Sequence, residues 1–564
     1  MIVGIDLGTT NSLIAYFDGE KAQVIPNQLG DYLTPSVVSV DDEGVVYVGK
    51  TAKERKLIHP EQTAEVFKRS MGTSREFKLG ERIFSAEELS SFVLKSLKEN
   101  AEIFLDCELK EAVISVPAYF NDSQRKATKR AGELAGFVVE RIVSEPTAAA
   151  ISYGLNNREA DTKFLVFDLG GGTFDVSILE LYQNIMEVRA VAGDNFLGGE
   201  DFTQVLMQMF FREKNIDEDS LDEKTKAHIY KQAELTKMDF SDNKTAVMKC
   251  KINEEVYEYE ISIDDYEKSC QILLNKIKKP IERSLKDANI KLNDIEEIIL
   301  VGGATKLPIV RRFVSRLFGR LPNTSINPDE VVAIGAAIQA AMKERNEAVR
   351  EMVLTDVCPF TLGTSIVVSR GNGNFESGHY LPIIERNSVI PVSRTERLYT
   401  AADNQNAICV KILQGESRFA RNNVFLGELQ LPVPIGPAGK ECVDVTFTYD
   451  INSILEVEVT VISTKVSKSV IIKNDENTLS DEEIKERLEA LAELKIHPRE
   501  QEANKLLLLR GDRMYEEATG DVRMLIEKKM TAFETVLDKQ NKDEISNARA
   551  DLKIFLDSIE EDIL

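Results

Sequence analysis

Positive charge is in short supply in this chain of 564 residues: 70 lysines and arginines face 94 aspartates and glutamates, a net charge of −24. That disfavours a general nucleic-acid or acidic-membrane binder, because phosphate recognition needs clustered positive charge. Cysteine is scarce as well. Cys107, Cys250, Cys270, Cys358, Cys409 and Cys442 are scattered without a CxxC pair, which argues against a disulfide framework or a zinc site and fits a reducing compartment. The four histidines, His59, His228, His379 and His497, stand in unrelated contexts and read as structural or surface residues. The longest apolar run, residues 331–342, contains Gln339 and is too short to span a bilayer. Asp6 comes too early to leave room for a signal peptide. There is no GxxxxGK[ST], and Gly371-Asn372-Gly373 does not complete GxGxxG, so a P-loop is excluded. A soluble, cytoplasmic protein is expected.

Apolar residues at 43% and charged residues at 29% are ordinary for a globular chain. At about 100–200 residues per domain, the length predicts three or four folding units. Residues 1 to about 345 alternate short apolar strands with helical segments, an α/β pattern. The period then changes to two: Ile408, Val410 and Ile412, then Val443, Val445 and Phe447, then Leu455, Val457, Val459 and Val461. Strands that face a core on one side read this way, which predicts an antiparallel β-sandwich over about 357–475. From Ser480, whose spacing to Glu483 makes a capping box, charge-rich helical sequence continues to Leu564, interrupted at Pro498, Gly511 and Gly520.

Two segments of the α/β region resemble each other. Ile2-Val3-Gly4-Ile5-Asp6-Leu7-Gly8-Thr9-Thr10 and Phe164-Leu165-Val166-Phe167-Asp168-Leu169-Gly170-Gly171-Gly172-Thr173 both read strand, Asp, glycine turn with Thr, strand. Glycines let consecutive N–H groups converge on an anion. An Asp ending each first strand can hold the water shell of Mg²⁺. A single Asp-x-Gly turn is an ordinary hairpin; two in register favour a phosphate clamp between related lobes. A third glycine pair, Gly302-Gly303, follows the strand Ile298–Val301 and precedes a helix, which suggests close approach to a ligand. With no histidine in place, hydrolysis would rest on carboxylates, lysine, magnesium and backbone, which suits phosphoryl transfer.

The hairpins, together with Val116-Pro117-Ala118-Tyr119-Phe120-Asn121-Asp122, Ser144-Glu145-Pro146-Thr147, Leu197-Gly198-Gly199-Glu200-Asp201-Phe202, Asn327-Pro328-Asp329-Glu330, Asp403-Asn404-Gln405 and Leu413-Gln414-Gly415-Glu416, make the chain resemble the DnaK-type (seventy-kilodalton) heat-shock chaperones, closely over about 1–475 and more thinly in the tail. The resemblance implies a multidomain protein: an actin-like, two-lobed α/β ATPase (1–349), a linker (350–356), an antiparallel β-sandwich that binds substrate (357–475) and a shortened α-helical lid (476–564). The short tail is similar to that of the HscC-type bacterial branch.

The resemblance further implies that Asp6 and Asp168 hold magnesium through water and that Lys68, Glu145, Thr173 and Asp175 form the catalytic set. Gly8, Thr9, Thr10, Asn11, Gly170, Gly171, Gly172, Gly198 and Gly199 would surround the phosphates. Glu234, Lys237, Ser241, Gly302, Gly303 and Asp329 would surround the nucleoside of ATP or ADP, with K⁺ as a further ion. By position alone, Lys68 is an ordinary surface lysine and Glu145 a first-turn acid that favours a helix start. Pro117, Arg125, Val353, Leu354 and Asp356 would couple the ATPase to the sandwich, and Val367, Leu398, Ala401, Ile408 and Val410 would bind peptide. The plain reading of those last five is sandwich core. Met238, where many members place an arginine, Thr355 within the linker and Thr364 in the sandwich depart from the pattern. Client polypeptides, a J-domain co-chaperone and a nucleotide-exchange factor are the implied partners, with no nucleic acid and no membrane. A small-molecule kinase or a filament-forming ATPase on the same clamp is the competing reading.

Overall fold

The computed structural model describes the chain except for residues 157–161, 183–184, 253–254, 324–326, 345, 347–348, 350–352, 370–374, 451–454, 473–494, 497–501, 519, 539–541 and 564. The expected capping box at Ser480 and Gly371-Asn372-Gly373 lie outside the described residues.

The repeat in the sequence becomes a repeat of sheets. Ile2–Asp6 and Asn11–Phe17 form an antiparallel hairpin, with Asp6 opposite Leu13; Glu111–Val116 runs parallel to the first strand and Ala22–Val24 antiparallel to the second. Thr162–Leu169 and Phe174–Tyr182 form the second hairpin, with Asp168 opposite Asp175; Glu297–Val301 runs parallel to its first strand and Ile185–Asp194 antiparallel to its second. The same order of four strands is thus built twice. Phe164, Leu165, Val166 and Phe167 are all fully buried, as a strand covered on both faces requires.

Residues 331–342 form most of the helix Val331–Lys343. Its Val331, Ala336 and Ala340 join Ile2, Val113, Phe164 and Val166 in one core shared by both sheets. The second lobe adds a larger core around Phe167, Phe202, Phe210, Phe240 and Tyr266. Burying a Val, Leu, Ile, Phe or Met side chain contributes about 1.5–3 kcal/mol, so aliphatic residues and aromatics together hold the lobe.

The period-two segments form two four-stranded antiparallel sheets: Phe375–Ile384, Leu362–Ser369, Ala407–Gln414 and Val424–Pro432 in one, and Val392–Tyr399, Cys442–Tyr449, Leu455–Val461 and Ser467–Ile471 in the other. The alternating residues named above meet in their core. Val353–Val357 lies between the two architectures. It pairs parallel with Ile185–Asp194 and antiparallel with Val389–Ile390, so one sheet runs from the second lobe to the edge of the sandwich.

Glu502–Glu517, Gly520–Asp538 and Lys542–Ile563 form a small helical bundle around Met514, Ile526, Phe533 and Leu556. The bundle lies against the helix Lys50–Ile58 of the first lobe through Arg513 and Glu54. Gly511, expected to interrupt the helical run, sits inside Glu502–Glu517. A Cβ there would fall 2.1 Å from Met530 Sδ, so its missing side chain admits the neighbouring helix rather than ending its own.

Candidate functional site

The two hairpin tips face each other across a cleft of about 360 Å³. They touch directly: a Cβ on Gly171 would stand 1.7 Å from Thr10 Oγ1. The glycine run therefore serves packing between the hairpins as well as backbone exposure, a demand the sequence does not display. Arg69, which sequence reasoning missed, clamps the second tip by donating from Nε to the Gly172 carbonyl at 2.8 Å and pairing with Asp201 at 2.7 Å.

Lys68 is not a surface lysine. Val66 adopts φ 57°, a left-handed conformation that is costly for a β-branched residue, and the turn Phe67–Ser70 that follows points Lys68 inward. Lys68 is 2% exposed, donates to Glu145 Oε1 at 2.7 Å and lies 5.6 Å from the centre of the Phe120 ring. Glu145 opens the helix Glu145–Asn156 and also lines the cleft.

Asp6 and Asp168 end corresponding strands on either side of this pair. Burial first, then the charge of Glu145, pushes Asp6 up to about 7, although Lys68 and the Ser115 hydroxyl, donating at 2.9 Å, oppose the shift. Burial, Glu145, Asp175 and Asp6 push Asp168 well above the ordinary carboxylate range. Asp175 reaches about 8 through burial and Glu145, and accepts from the Tyr119 backbone N–H at 3.2 Å. Four acids around one lysine call for another cation. Among the described residues no group of three His, Cys, Asp or Glu side chains could hold a metal directly. The strand-end carboxylates Asp6 and Asp168 fit an ion that keeps its water shell, as Mg²⁺ does.

Of the expected residues, Gly8, Thr9, Thr10, Asn11, Gly170, Gly171, Thr173, Gly199, Glu234, Lys237, Ser241, Gly302, Gly303 and Asp329 line the cleft with Asp6, Lys68, Glu145 and Asp168. Gly172, Gly198 and Asp175 are not among the residues that line it. Lys237 donates to the Gly199 carbonyl at 3.0 Å and to Thr203 Oγ1 at 2.6 Å. Met238, 56% exposed, also lines the cleft, as do both members of the Lys306–Asp329 ion pair. Lys53, another residue missed in the sequence, bridges the lobes with both Glu234 oxygens at 2.8 and 3.0 Å.

Pro117 is buried, and Arg125 donates to the carbonyls of Phe120 and Ala118 at 3.2 and 3.4 Å. Arg125 also faces Asp356, whose carboxyl is raised by burial against the opposing charges of Arg125 and Arg141. Val353 and Leu354 pair with Ile185 and Met186. The Thr355 hydroxyl is buried with no hydrogen-bond partner among the described residues, and so is that of Thr364. In the sandwich, Val367 is 43% exposed, Leu398 and Ala401 are half-buried, and Ile408 and Val410 belong to the core.

A family model described as Hsp70 protein matches residues 2–563. The chain belongs to the Hsp70 family. Relatives named "Chaperone protein DnaK" include that of Thermotoga petrophila, 42% identical over 503 residues, which cover 86% of this chain and 83% of the relative. The one from Thermosipho africanus is 37% identical over 569 residues, covering 98% and 92%, and the one from Mycoplasma mobile 39% over 501 residues, covering 86% and 80%. This Hsp70 is an ATP-dependent molecular chaperone and an ATPase; the kinase and filament readings are not favoured. None of the described helices is long and apolar enough to cross a membrane.

Proposed function

We propose that the cleft between the hairpins is the ATPase centre and that residues 1–349 form an actin-like nucleotide-binding unit, 350–356 a linker, 357–475 a substrate-binding sandwich and 476–564 a shortened lid. The observation that carries this reading is the buried Lys68–Glu145 pair between two strand-end aspartates, beneath two glycine hairpins. Asp6 and Asp168 would hold Mg²⁺ through its water shell, and the ion would supply positive charge against the phosphates. Thr9, Thr10, Gly170, Gly171 and Thr173 present backbone and hydroxyl donors to the phosphates. Lys68 orients the attacking water, with Glu145 fixing the ammonium group and Asp175 supporting the hairpin from behind. Glu234, Lys237, Ser241, Gly302, Gly303 and Asp329 hold the nucleoside, and Met238 packs its thioether on the base.

The continuous sheet through Val353–Val357, and the sandwich and tail resting on the lobes, support reading this arrangement as the docked one favoured by ATP. Undocking would slow exchange of an extended apolar client segment held by Val367, Leu398, Ala401, Ile408 and Val410. A coupling of about 1–3 kcal/mol changes affinity 5–150-fold. Clients, a J-domain protein and a nucleotide-exchange factor are the partners, in the cytoplasm. The test is the release rate of a fluorescent, leucine-centred extended peptide with ADP and then after ATP and Mg²⁺. Strong acceleration supports the reading, and release indifferent to ATP would refute the coupling.

A further inference from the structure

Glu200 touches both hairpin tips. It stands in the first turn of the helix Gly199–Lys214, and its backbone N–H donates to the carbonyl of Gly171, in the second tip, at 2.8 Å. Its side chain reaches the first tip, where Oε1 accepts from the Thr10 hydroxyl at 3.3 Å. The remaining oxygen, Oε2, accepts from the Tyr230 hydroxyl. A first-turn acid commonly serves only its own helix; this one leaves its helix and spans the lobes. A carboxylate accepts from two donors at once, so Thr10 and Tyr230 do not compete for it. Glu200 is buried, and these two donors supply most of what its oxygens would otherwise take from solvent.

Tyr230 is held in turn. It belongs to the helix Glu223–Asp239, on which Tyr230, Glu234 and Lys237 share one face at i, i+4 and i+7. Lys237 donates to the Gly199 carbonyl at 3.0 Å, so this helix grips the start of Gly199–Lys214 at two successive residues. From the first lobe, Lys56 Nζ lies 4.4 Å from the centre of the Tyr230 ring and pairs with Glu65. Burial, then the charges of Glu200, Glu65 and Glu234, hold the proton on the phenol, which therefore acts as a donor.

We propose that Tyr230 is a positioning residue of the ATPase centre: by holding Glu200 Oε2 it turns Oε1 towards Thr10, and so fixes the spacing of the two phosphate-binding tips. Phosphoryl transfer depends on placement and charge, so tips that drift apart slow the step without emptying the cleft. The inference rests on reading the cleft as the ATPase centre.

The test measures single-turnover hydrolysis, ATP affinity and the pH dependence of the rate in the full chain. Tyr230→Phe keeps the ring beside Lys56 and loses the hydroxyl. It should slow hydrolysis about ten- to a hundredfold and leave ATP affinity in place. Glu200→Gln, which offers one acceptor oxygen instead of two, should do the same. The acid limb of the rate profile should also move to higher pH in Tyr230→Phe, which a packing role would not cause. Burial raises the Glu200 carboxyl, and the Tyr230 hydroxyl is the largest influence against it; without that hydroxyl, Lys237, with Lys53 nearby, faces burial, Glu65 and Glu234. Thr10→Val combined with Tyr230→Phe should be no slower than the slower single variant, because both cut one chain of contacts. Unchanged turnover in Tyr230→Phe, or a loss of ATP affinity alone, would overturn the inference while an inactive Lys68→Met leaves the centre intact. Additive losses in the double variant would overturn it as well. Full turnover in Lys68→Met would overturn the reading of the cleft itself.

Discussion

Lys68 Nζ donates to Glu145 Oε1 at 2.7 Å, although the two residues are 77 positions apart in the chain. Both charges are largely withdrawn from solvent, since Lys68 is 2% and Glu145 7% exposed. The pair holds a single ammonium group at a fixed place between Asp6 and Asp168, where an incoming water and a terminal phosphate would meet. Preorganised charge at such a place is worth far more than the same charge in solvent.

Lys68→Met should therefore lower single-turnover ATP hydrolysis by about 10²–10³-fold while nucleotide binding survives. The lone Glu145 charge left behind should also cost stability, on the order of 3–5 kcal/mol in the nucleotide-free protein. Glu145→Gln added to Lys68→Met should recover much of that stability and none of the turnover. Full turnover in Lys68→Met would remove the lysine from the centre.

The hairpins and the sandwich core were legible because both are patterns of local order. An Asp-x-Gly turn followed by Thr, found twice, and Val443, Val445 and Phe447 alternating along a strand are visible without knowing what they pack against. Lys68 was not legible from its own surroundings, because its burial depends on the left-handed turn at Val66 and on an acid 77 residues away. Arg69 and Lys53 gave no signal for the same reason: their partners Asp201 and Glu234 are 132 and 181 positions distant. Gly511 misled because a glycine needed for close helix packing looks the same in sequence as one that ends a helix.

Asp6 supplies a pH test of the proposed metal site. Its carboxyl is raised from 3.8 to about 7, so the folded chain binds a proton there more tightly than the unfolded chain does. Through this group, the metal-free protein should lose stability as pH rises from about 4 to about 7. Mg²⁺ favours the ionised form and should flatten that slope. Thermal unfolding from pH 5 to 8, in EDTA and in Mg²⁺, measures the difference. Asp168→Asn should abolish Mg²⁺-dependent hydrolysis and leave the sandwich folded; equal slopes with and without Mg²⁺ would argue against an ion at these carboxylates.

Thr355 carries a buried hydroxyl with no partner among the described residues, in the middle of the strand that joins the lobes to the sandwich. An unsatisfied buried polar group costs about 1–3 kcal/mol. Thr355→Val replaces that hydroxyl with a methyl and keeps the β-branched shape a strand favours. The docked state should gain about 1 kcal/mol, roughly a fivefold shift in population. ATP-stimulated peptide release should then saturate at lower ATP. Unchanged nucleotide dependence would mean that the strand's pairing with Ile185–Asp194 does not limit coupling.

Arg386 is the clearest polar clasp between sandwich and second lobe. Its Nε and one terminal nitrogen reach the two oxygens of Asp287, both at 2.8 Å, its other terminal nitrogen reaches Glu416 at 2.5 Å, and Asn387 adds a bond to Asp287 at 3.1 Å. The bidentate fork makes this stronger than an ordinary surface pair, but Arg386 is 29% exposed and salt will screen it. Arg386→Ala should weaken docking by about 1–2 kcal/mol, so that peptide release in ATP slows roughly 5–30-fold towards the rate in ADP. Arg386→Lys keeps the charge but loses the fork, and should fall between the two. Because the contact is made only when sandwich and lobe meet, release in ADP should not change. If Arg386→Ala altered both rates equally, the residue would be acting on the peptide groove and not on docking.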